Sequence, residues 1–327
     1  MIAIPAQFML FRALSVLVFV ALAFAHAQCQ DRAITTTPLV LRDGTRILYE
    51  TPPEELSHLT NAFVQSWLEL NVCAIKAYYG RFPLKELTLT LKAVSNSSEI
   101  GYGQAMPGEM PRLTIYVGTK TPREGFRSSW VMCHEMTHIT FPSLDREHRW
   151  LEEGIATYVE PIARAMTGII PVESVWFDLV NKTPEAFANA TSGLDGVRDF
   201  RRVYWGGALF CLRADIEIRL KTANKHSFQE VLQIIMAREG TMNEDRDILT
   251  VLRTGDKYIG VSILEKLYLQ MGKTAYKPDL EKLWLDLGIE RTDGTVIFHD
   301  EAPLAAIRKS ICSRSAASCN DLFFQKK

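Results

Sequence analysis

The pattern of apolar and polar positions in the first 120 residues predicts β-strands in three ranges, and in Leu87–Leu91 it alternates with the two-residue period of a strand. These ranges are Leu39–Tyr49, which holds two strands around a turn, Leu87–Leu91 and Arg112–Val117. The turn itself, Asp43-Gly44, is a dipeptide typical of hairpins. Glu54–Tyr79 carries apolar residues at helical spacing and is predicted to form a helix that ends at Gly80. This part of the chain is therefore predicted to be a small mixed lobe.

From residue 171 onward the apolar spacing is mostly helical. Ser227 and Glu230 form a capping box at the start of one of these helices. The predicted helices are Val172–Val180, Val197–Leu220, Ser227–Ala237, Asp245–Leu252, Val261–Met271, Asp279–Leu287 and Ala302–Ser310. Thr295–Phe298 predicts a late strand. The predicted fold class is therefore α+β, with a mixed α/β lobe in residues 28–120 and a helical lobe in residues 171–327.

Composition restricts the class of protein only broadly. The 327 residues are 47% hydrophobic, which is enough apolar material for a substantial core. The formal net charge of −1 argues against a protein that binds nucleic acid through phosphate contacts. The sequence gives no indication of the oligomeric state.

The first 27 residues have the features of a secretory signal peptide and are not expected to belong to the fold. Arg12 precedes the apolar run Ala13–Ala25, and Ala25-His26-Ala27 provides a small-x-small cleavage site after Ala27. The run of about 13 residues is too short to span a bilayer comfortably. We therefore expect a secreted or periplasmic protein with no stable membrane span after cleavage. An uncleaved membrane anchor is the alternative.

Export would place the cysteines in an oxidising compartment, where disulfides form. Cys312 and Cys319 are close in sequence and form a candidate pair. Cys133 and Cys211 lie within apolar helical patterns, which favours buried free thiols.

A His-Glu-x-x-His motif at His134, Glu135 and His138 is the strongest chemical signal in the chain. Two histidines four residues apart lie on one face of a helix, about one turn from each other. They can bind one tetrahedral zinc ion through neutral imidazoles. Glu135 points to the side of this pair and can take a proton from a water molecule that the metal activates. The motif predicts a zinc site in the helices of residues 121–170.

A zinc enzyme of this type needs a third protein ligand and an open fourth position. A proline at 142 is predicted to end the first helix, and a second helix is predicted over Arg146–Met166. On this second helix Glu153, Thr157 and Glu160 share one stripe. If the stripe faces the histidines, Glu153 completes the site. Thr157 and Glu160 then lie behind the ligands and orient them.

Two other residues are candidates for the third ligand. Glu152 adjoins Glu153, and His148 lies near the start of the same helix. A histidine at the position of His148 is more typical of a surface residue on the loop side of the helix.

This stretch resembles the gluzincin zinc metallopeptidases, which include the glycyl- and alanyl-aminopeptidase families. The resemblance rests on the His-Glu-x-x-His motif followed by Trp150-Leu151-x-Glu153-Gly154-x-Ala156-x-Tyr158-x-Glu160. It implies a thermolysin-like fold of two lobes, with the zinc cleft between the β lobe and the helical lobe. It also implies that the glutamate before the glycine, Glu153, is the third zinc ligand.

The same resemblance implies a substrate-binding surface. In gluzincins the strand equivalent to Arg112–Val117 forms the edge of the cleft, and the substrate backbone adds to it as a further strand. Gly103, Gln104, Ala105 and Met106 occupy the place of a Gly-x-Met-Glu-Asn motif in alanyl aminopeptidases. They are therefore the predicted substrate-binding residues, although the acidic residue and the asparagine of that motif are missing here. A glycine-rich loop before a strand is the alternative interpretation.

Hydrolysis of an amide creates a negatively charged oxygen, which a hydrogen-bond donor beside the metal should stabilise. Tyr204 begins a Tyr-x-x-Gly-Ala-Leu segment that is similar to one in the same families, whose tyrosine has this role. His226 is the alternative donor, by analogy with thermolysin. Its place directly before Ser227 explains it without chemistry, because Ser227 caps a predicted helix.

The sequence thus predicts an exported zinc-dependent peptidase that acts on peptide or protein substrates, with Glu135 and Tyr204 as catalytic residues. One alternative is a secreted zinc protein that binds peptides or a protein partner without hydrolysis. Another is a zinc hydrolase that acts on a non-peptide substrate. The glutamate and the tyrosine beside the ligands argue against the first alternative, because binding alone needs neither of them.

Overall fold

The computed structural model describes residues 35–188, 190–315, 319 and 322–323. The chain divides into two units, residues 1–36 and residues 37–327. Nearly all of the first unit lies outside the described residues, and so does the predicted signal peptide with its cleavage site after Ala27. Within the described part of the chain, no helix combines the length and the apolar character that a membrane span requires.

Five strands form a mixed sheet in the order β1-β2-β3-β5-β4. The strands are β1 (Thr36–Val40), β2 (Arg46–Glu50), β3 (Glu86–Val94), β4 (Ile100–Met106) and β5 (Arg112–Gly118). β2, β3 and β5 run parallel to one another, whereas β4 pairs antiparallel with β5. The strands predicted in Leu39–Tyr49, Leu87–Leu91 and Arg112–Val117 are confirmed, and β4 is an addition to them.

The edge strand beside the candidate site is β4, and the expectation that Arg112–Val117 forms this edge is wrong. Ile115 of β5 is paired on one side with Leu91 of β3 and on the other with Gly103 of β4. The strand β4 was difficult to detect because two glycines, at positions 101 and 103, interrupt the alternation of apolar and polar residues. The alternative interpretation of residues 103–106 as a loop is also wrong, because these residues belong to β4.

The predicted helix Glu54–Tyr79 is divided in two. A single 3-10 turn covers Glu54–Leu56, and the helix α1 covers Asn61–Tyr79. The interruption has a local cause, since the side chain of Thr60 accepts a hydrogen bond from the peptide nitrogen of Phe63 and caps the new start. Gly80, at φ 78°, ends α1 in the left-handed conformation, as the sequence predicts.

Ten further helices and a two-stranded antiparallel ribbon follow the sheet in the described residues. They are α2 (Arg123–Ser128), α3 (Val131–Ile139), α4 (Arg149–Met166), α5 (Val172–Phe187), α6 (Gly207–Lys221), α7 (Phe228–Arg238), α8 (Ile248–Ile259), α9 (Leu264–Met271), α10 (Leu280–Leu287), β6 (Ile289–Thr292), β7 (Thr295–Phe298) and α11 (Ala305–Ile311). The predicted capping box of Ser227 and Glu230 is confirmed at the start of α7. An α+β fold with a mixed sheet followed by helices is therefore confirmed.

The helix α4 lies at the centre of this arrangement and packs against α1, α3, α5 and α6. Its contact with α6 is a direct approach of two backbones. A β-carbon added to Gly154 would lie 2.4 Å from the Cα atom of Gly207, a separation that real β-carbons do not show. The two glycines therefore allow α6, and the π-helical turn Arg202–Gly206 before it, to lie against α4.

The disulfide of the structure joins Cys73 of α1 to Cys319, so the predicted pair of Cys312 and Cys319 is wrong. Cys312 is a buried free thiol, and so are Cys133 and Cys211, as predicted for the last two. Closeness in sequence was a poor guide because the fold brings the C-terminal segment to α1, although 246 residues separate the two bonded cysteines.

Candidate metal centre

The helix α3 presents His134 and His138 on one face. Its local sequence explains its length, because the helix ends at Ile139, shortly before the proline at 142 that was predicted to stop it. The two imidazole ring centres are 4.9 Å apart. His134 is buried, whereas His138 is half-buried and faces the cavity described below.

Glu153 of α4 completes a group of three potential ligands with His134 and His138, the set predicted from the sequence. Its Oε2 atom lies 3.3 Å from Nε2 of His134 and 3.4 Å from Nε2 of His138. Zinc bonds of about 2.0–2.1 Å in a tetrahedral site place neighbouring ligand atoms about 3.3 Å apart. The separations in the protein therefore fit a single zinc ion.

The three side chains differ in how readily they take up a proton in the absence of a metal ion. Burial lowers the pKa of His134 to about 4. Burial also opposes protonation of His138, but hydrogen bonding to Glu153 and its negative charge raise the pKa of His138 overall. Burial opposes ionisation of Glu153, yet its bonds to the two histidines hold its pKa well below the usual range. A neutral His134 beside an ionised Glu153 suits metal binding.

Glu135 lies beside the histidines with its carboxylate fixed by the edge strand. The peptide nitrogen of Ala105 donates a hydrogen bond of 2.8 Å to Oε2 of Glu135. Burial raises the pKa of Glu135 above its usual value. An elevated pKa is expected of a carboxylate that accepts a proton in one step and releases it in the next.

Tyr204, in the π-helical turn, stacks on His134. The planes of the two rings differ by 7° and their centres are 5.8 Å apart. Phe200 also stacks on Tyr204, with ring centres 4.1 Å apart. Burial and the negative charge of Glu153 raise the pKa of the Tyr204 hydroxyl. This hydroxyl therefore remains protonated at neutral pH and can serve as a hydrogen-bond donor beside the candidate metal position.

His226, the alternative donor, lies in a different environment. Its ring contacts Tyr258, and its Nδ1 atom is 3.6 Å from Glu230 of the capping box. It is not part of the wall of the cavity at the metal site. This position agrees with a role at the start of α7.

Neither alternative third ligand belongs to the group around the histidines. Glu152 lines the cavity, but its Oε1 atom accepts a hydrogen bond of 2.7 Å from the peptide nitrogen of Leu144. His148 bonds through Nδ1 to Asp195 at 3.0 Å. Asp195, His148 and Glu147 also lie close together, but Asp195 already forms an ion pair with Lys273 at 2.9 Å.

The predicted supporting residues Thr157 and Glu160 make no bond to a ligand among the residues the structure describes. The hydroxyl of Thr157 is buried and has no hydrogen-bond partner there. The carboxylate of Glu160 accepts a hydrogen bond of 2.5 Å from Arg164, four residues further along the same helix. These contacts do not link either residue to the ligands, so the predicted role of Thr157 and Glu160 in orienting the ligands stays a prediction.

Arg149 is a site residue that the sequence analysis missed. Its guanidinium donates to Oε1 of Glu153 from Nε at 3.2 Å and from Nη2 at 2.9 Å. Each oxygen of Glu153 therefore has its own partners, because Oε2 faces the histidines. The four-residue spacing of arginine and glutamate on a predicted helix was the signal that could have revealed this pair.

A cavity of about 290 Å³ opens over the three ligands and Glu135. Gly103, Gln104 and Ala105 of β4 form part of its wall, and Tyr204 forms another part. Of the four predicted substrate-binding residues, Met106 is not part of the wall. The site thus combines a metal-binding group, a carboxylate, a hydroxyl donor and the edge of a sheet around one space.

No protein-family model and no curated protein sequence matches the chain. Solved structures do resemble it. An aminopeptidase N family protein from Idiomarina loihiensis superposes with a TM-score of 0.55 at 16% identity, over 79% of this chain and 49% of its own. A two-domain M1 zinc metallopeptidase, solved as a variant bound to L-arginine, has a TM-score of 0.50 at 15% identity, over 75% of this chain and 52% of its own. The likeness shows a shared fold, and the chain spans about half the length of these structures.

Proposed function

We propose that this protein is a zinc-dependent peptidase in which His134, His138 and Glu153 hold the metal. The observation that carries this proposal is the position of Glu153 Oε2, at 3.3 Å and 3.4 Å from the two imidazole nitrogens. A zinc ion in this group would polarise the carbonyl of the scissile bond and acidify a water molecule. The similarity of fold to M1 zinc metallopeptidases supports the same function.

Glu135 is the general base of the proposed reaction. It takes a proton from the attacking water and passes it to the nitrogen of the leaving amine. Its bond to the peptide nitrogen of Ala105 uses Oε2, which leaves Oε1 for the proton transfer. Burial raises its pKa, which favours the protonated form of Glu135 that delivers the proton to the leaving amine.

Tyr204 stabilises the negative oxygen of the tetrahedral intermediate in this proposal. Its protonated hydroxyl donates a hydrogen bond to that oxygen. The stacking on His134 and Phe200 fixes the ring, so little reorganisation is needed when the charge develops. The donor and the ligand histidine therefore keep a constant relative position.

The edge strand β4 is the proposed binding surface for the substrate backbone. Gly103, Gln104, Ala105 and Met106 lie on a strand that, among the described residues, pairs on one side only, with β5. An extended peptide can add to the free side through backbone hydrogen bonds. The direct bond from Ala105 to Glu135 would then place the added peptide beside the general base.

We also propose that the protein is exported and acts outside the cytoplasm. Arg12 and the apolar run Ala13–Ala25 support this location, together with the cleavage site after Ala27. The disulfide between Cys73 and Cys319 supports it independently, because such bonds persist in oxidising compartments.

Metal content and peptide hydrolysis, measured on the same preparation, test the proposal. We expect about one zinc ion per chain and cleavage of a mixed peptide library, read by mass spectrometry. A zinc chelator should abolish cleavage, and added zinc should restore it. The variant Glu135→Gln should keep the metal and lose turnover, whereas His138→Ala should lose both. Zinc without cleavage of any peptide would instead favour a binding protein or a hydrolase of another substrate.

A further inference from the structure

We propose that a second cavity beside the metal site binds a carboxylate group of the peptide substrate. We call it the arginine cavity, and its wall includes Arg146, Arg149, Arg198, Phe200, Val203 and Tyr204. This inference rests on the proposed peptidase function and names the class of peptide that the site prefers. The carboxylate comes either from an acidic side chain or from the C-terminus of the substrate.

The arginine cavity adjoins the cavity over the metal ligands. It has a volume of about 490 Å³, which is enough for an amino-acid side chain and its neighbours. Arg149 and Tyr204 line both cavities. Arg149 also bonds to Glu153, and Tyr204 stacks on His134. A peptide bound at the metal site therefore has the arginine cavity within reach of the residues next to the scissile bond.

The wall of the arginine cavity carries more positive than negative charge, and part of the positive charge is free to bind a ligand. Arg146 and Arg198 are exposed, and their guanidinium groups have no hydrogen-bond or ion-pair partner in the part of the chain that the structure describes. Arg149 uses Nε and Nη2 on Glu153, which leaves Nη1 for another acceptor. Glu147 is the acidic residue of the wall, and its Oε1 atom lies 3.3 Å from Nε2 of His148. The wall thus carries three arginines and one glutamate, and the charge of Arg149 is already shared with Glu153.

The chemistry of the wall fits a peptide carboxylate. A guanidinium group offers a planar fork of donors that matches a carboxylate with two parallel hydrogen bonds. Phe200 is 62% exposed and adds an apolar surface, against which the carbon atoms of the bound residue can pack. The whole chain has a formal net charge of only −1, so this positive cavity is a local feature.

The expected preference is moderate because the arginines remain in contact with water. Exposed ion pairs contribute little each, and two or three together correspond to a rate ratio of about tenfold at low salt. Salt screens such pairs, and the preference should therefore decrease several-fold at about 1 M salt, where the Debye length falls to about 3 Å.

Matched peptides measure this preference directly. One series replaces Gln by Glu at each position on either side of the cleavage site, and a second compares a C-terminal acid with the C-terminal amide. We expect kcat/KM to be about tenfold higher for the carboxylate member of one series. The series that shows the effect identifies the source of the carboxylate. Equal kcat/KM for all matched members would overturn the inference while leaving the peptidase function intact.

A double variant, Arg146→Gln with Arg198→Gln, assigns the preference to the cavity. The ratio of kcat/KM for the carboxylate peptide to that for its amide partner should fall towards one. The control is Arg81→Gln, because Arg81 is exposed, has no partner among the described residues and lies outside this cavity. It should leave the ratio unchanged. A ratio that survives the double variant would contradict the inference, and thermal melts would confirm that both variants fold.

A binding measurement distinguishes a failure of this inference from a failure of the proposed function. Fluorescence anisotropy with labelled peptides on the Glu135→Gln protein needs no turnover. If the wild type cleaves no peptide but this variant binds the carboxylate peptide about tenfold more tightly than its amide partner, the function fails and the cavity assignment stands. Equal binding of the two peptides would contradict the assignment of the cavity, whether or not the wild type cleaves peptides.

Discussion

Gly103 of the edge strand lies so close to Glu135 of the metal helix that a β-carbon on Gly103 would be 2.6 Å from the Cγ atom of Glu135. The same β-carbon would lie 2.7 Å from Cγ1 of Val131. Two residues further along the strand, the peptide nitrogen of Ala105 bonds to the carboxylate of Glu135. The missing side chain at position 103 therefore sets the distance between the proposed substrate-binding strand and the proposed general base.

The variant Gly103→Ala should lose most of its peptidase activity and keep its zinc. The added methyl group pushes β4 away from Glu135, and a displacement of about 1 Å at a reacting group can cost about a hundredfold in rate. The nearest atoms to the added methyl group belong to Glu135 and Val131 and none to a zinc ligand, so the metal should be retained. Steady-state kinetics and metal analysis provide the measurement.

Gly101→Ala is the matched control, because Gly101 lies on the same strand and a β-carbon there meets no atom within 4 Å. It should keep its activity within about twofold, since surface changes of this kind are usually small. Full activity of Gly103→Ala would show that the close approach of strand and helix is not required.

Tyr204→Phe should lower kcat by about 10²–10³ without loss of zinc or of thermal stability. The phenyl ring keeps the stacking on His134, and only the donor to the negative oxygen is removed. His226→Ala serves as the comparison, because this variant tests the other candidate donor. It should change kcat by less than about twofold. The opposite pattern, with His226→Ala inactive and Tyr204→Phe active, would show that His226 stabilises the negative oxygen and that Tyr204 does not.

Gly154→Ala should destabilise the protein by about 3 kcal/mol, the upper end of the usual overpacking cost. A β-carbon at this position meets backbone atoms of Gly207 at 2.4 Å, and backbone cannot move aside as a flexible side chain can. Urea unfolding measures the effect. Zinc affinity should fall as well, since Gly154 adjoins the ligand Glu153. A change in the free energy of unfolding below about 0.5 kcal/mol, the size expected of an ordinary surface substitution, would contradict this expectation.

Arg164→Gln should cost about 3–5 kcal/mol, because it leaves the buried carboxylate of Glu160 without its charged partner. Arg164 and Glu160 are both almost fully buried, with side-chain exposures of 5% and 9%. The control is Lys182→Gln, which breaks an ion pair with Asp178 at the same four-residue spacing. There the side chains are 48% and 45% exposed. This change should cost only about 0.3–0.5 kcal/mol. Similar losses in the two variants would argue against a buried charge pair at Glu160.

The metal-free protein should lose stability as the pH falls from 7.5 to 5, in part because of His134. Its pKa is lowered to about 4 by burial, whereas an exposed histidine has a pKa of about 6.5. The unfolded chain therefore binds more protons in this window, and the folded state is disfavoured as the pH falls. The contribution of His134 amounts to about 2 kcal/mol at pH 5.

Urea titrations of the metal-free wild type and of His134→Asn, at several pH values, test this contribution. The free energy of unfolding of the variant should decrease less as the pH falls. In the wild type, His134 takes up a proton more readily in the unfolded chain than in the folded one, and the variant has no such group. Glu153 stays ionised through this window because its pKa lies well below the usual range, and His138 is present in both proteins. Parallel curves would show that His134 titrates normally in the folded state.

The sequence alone determined which site residues lie on each of two helices. Helical periodicity placed His134 and His138 one turn apart, and it placed Glu153 on a second helix that begins soon after a proline. Alternation revealed β3 and β5, and the capping box revealed the start of α7. These features follow from interactions between residues only a few positions apart, and such interactions are encoded in local patterns.

The tertiary structure decided the relations between distant segments. It made β4 the edge strand, joined Cys73 to Cys319 and brought Arg149 and Tyr204 to the border of two cavities. No local pattern specifies such contacts, because they depend on how closely whole helices and strands can pack. Gly103 and Gly154 show the reason most clearly, since each is an ordinary glycine in the sequence and a point of backbone contact in the fold.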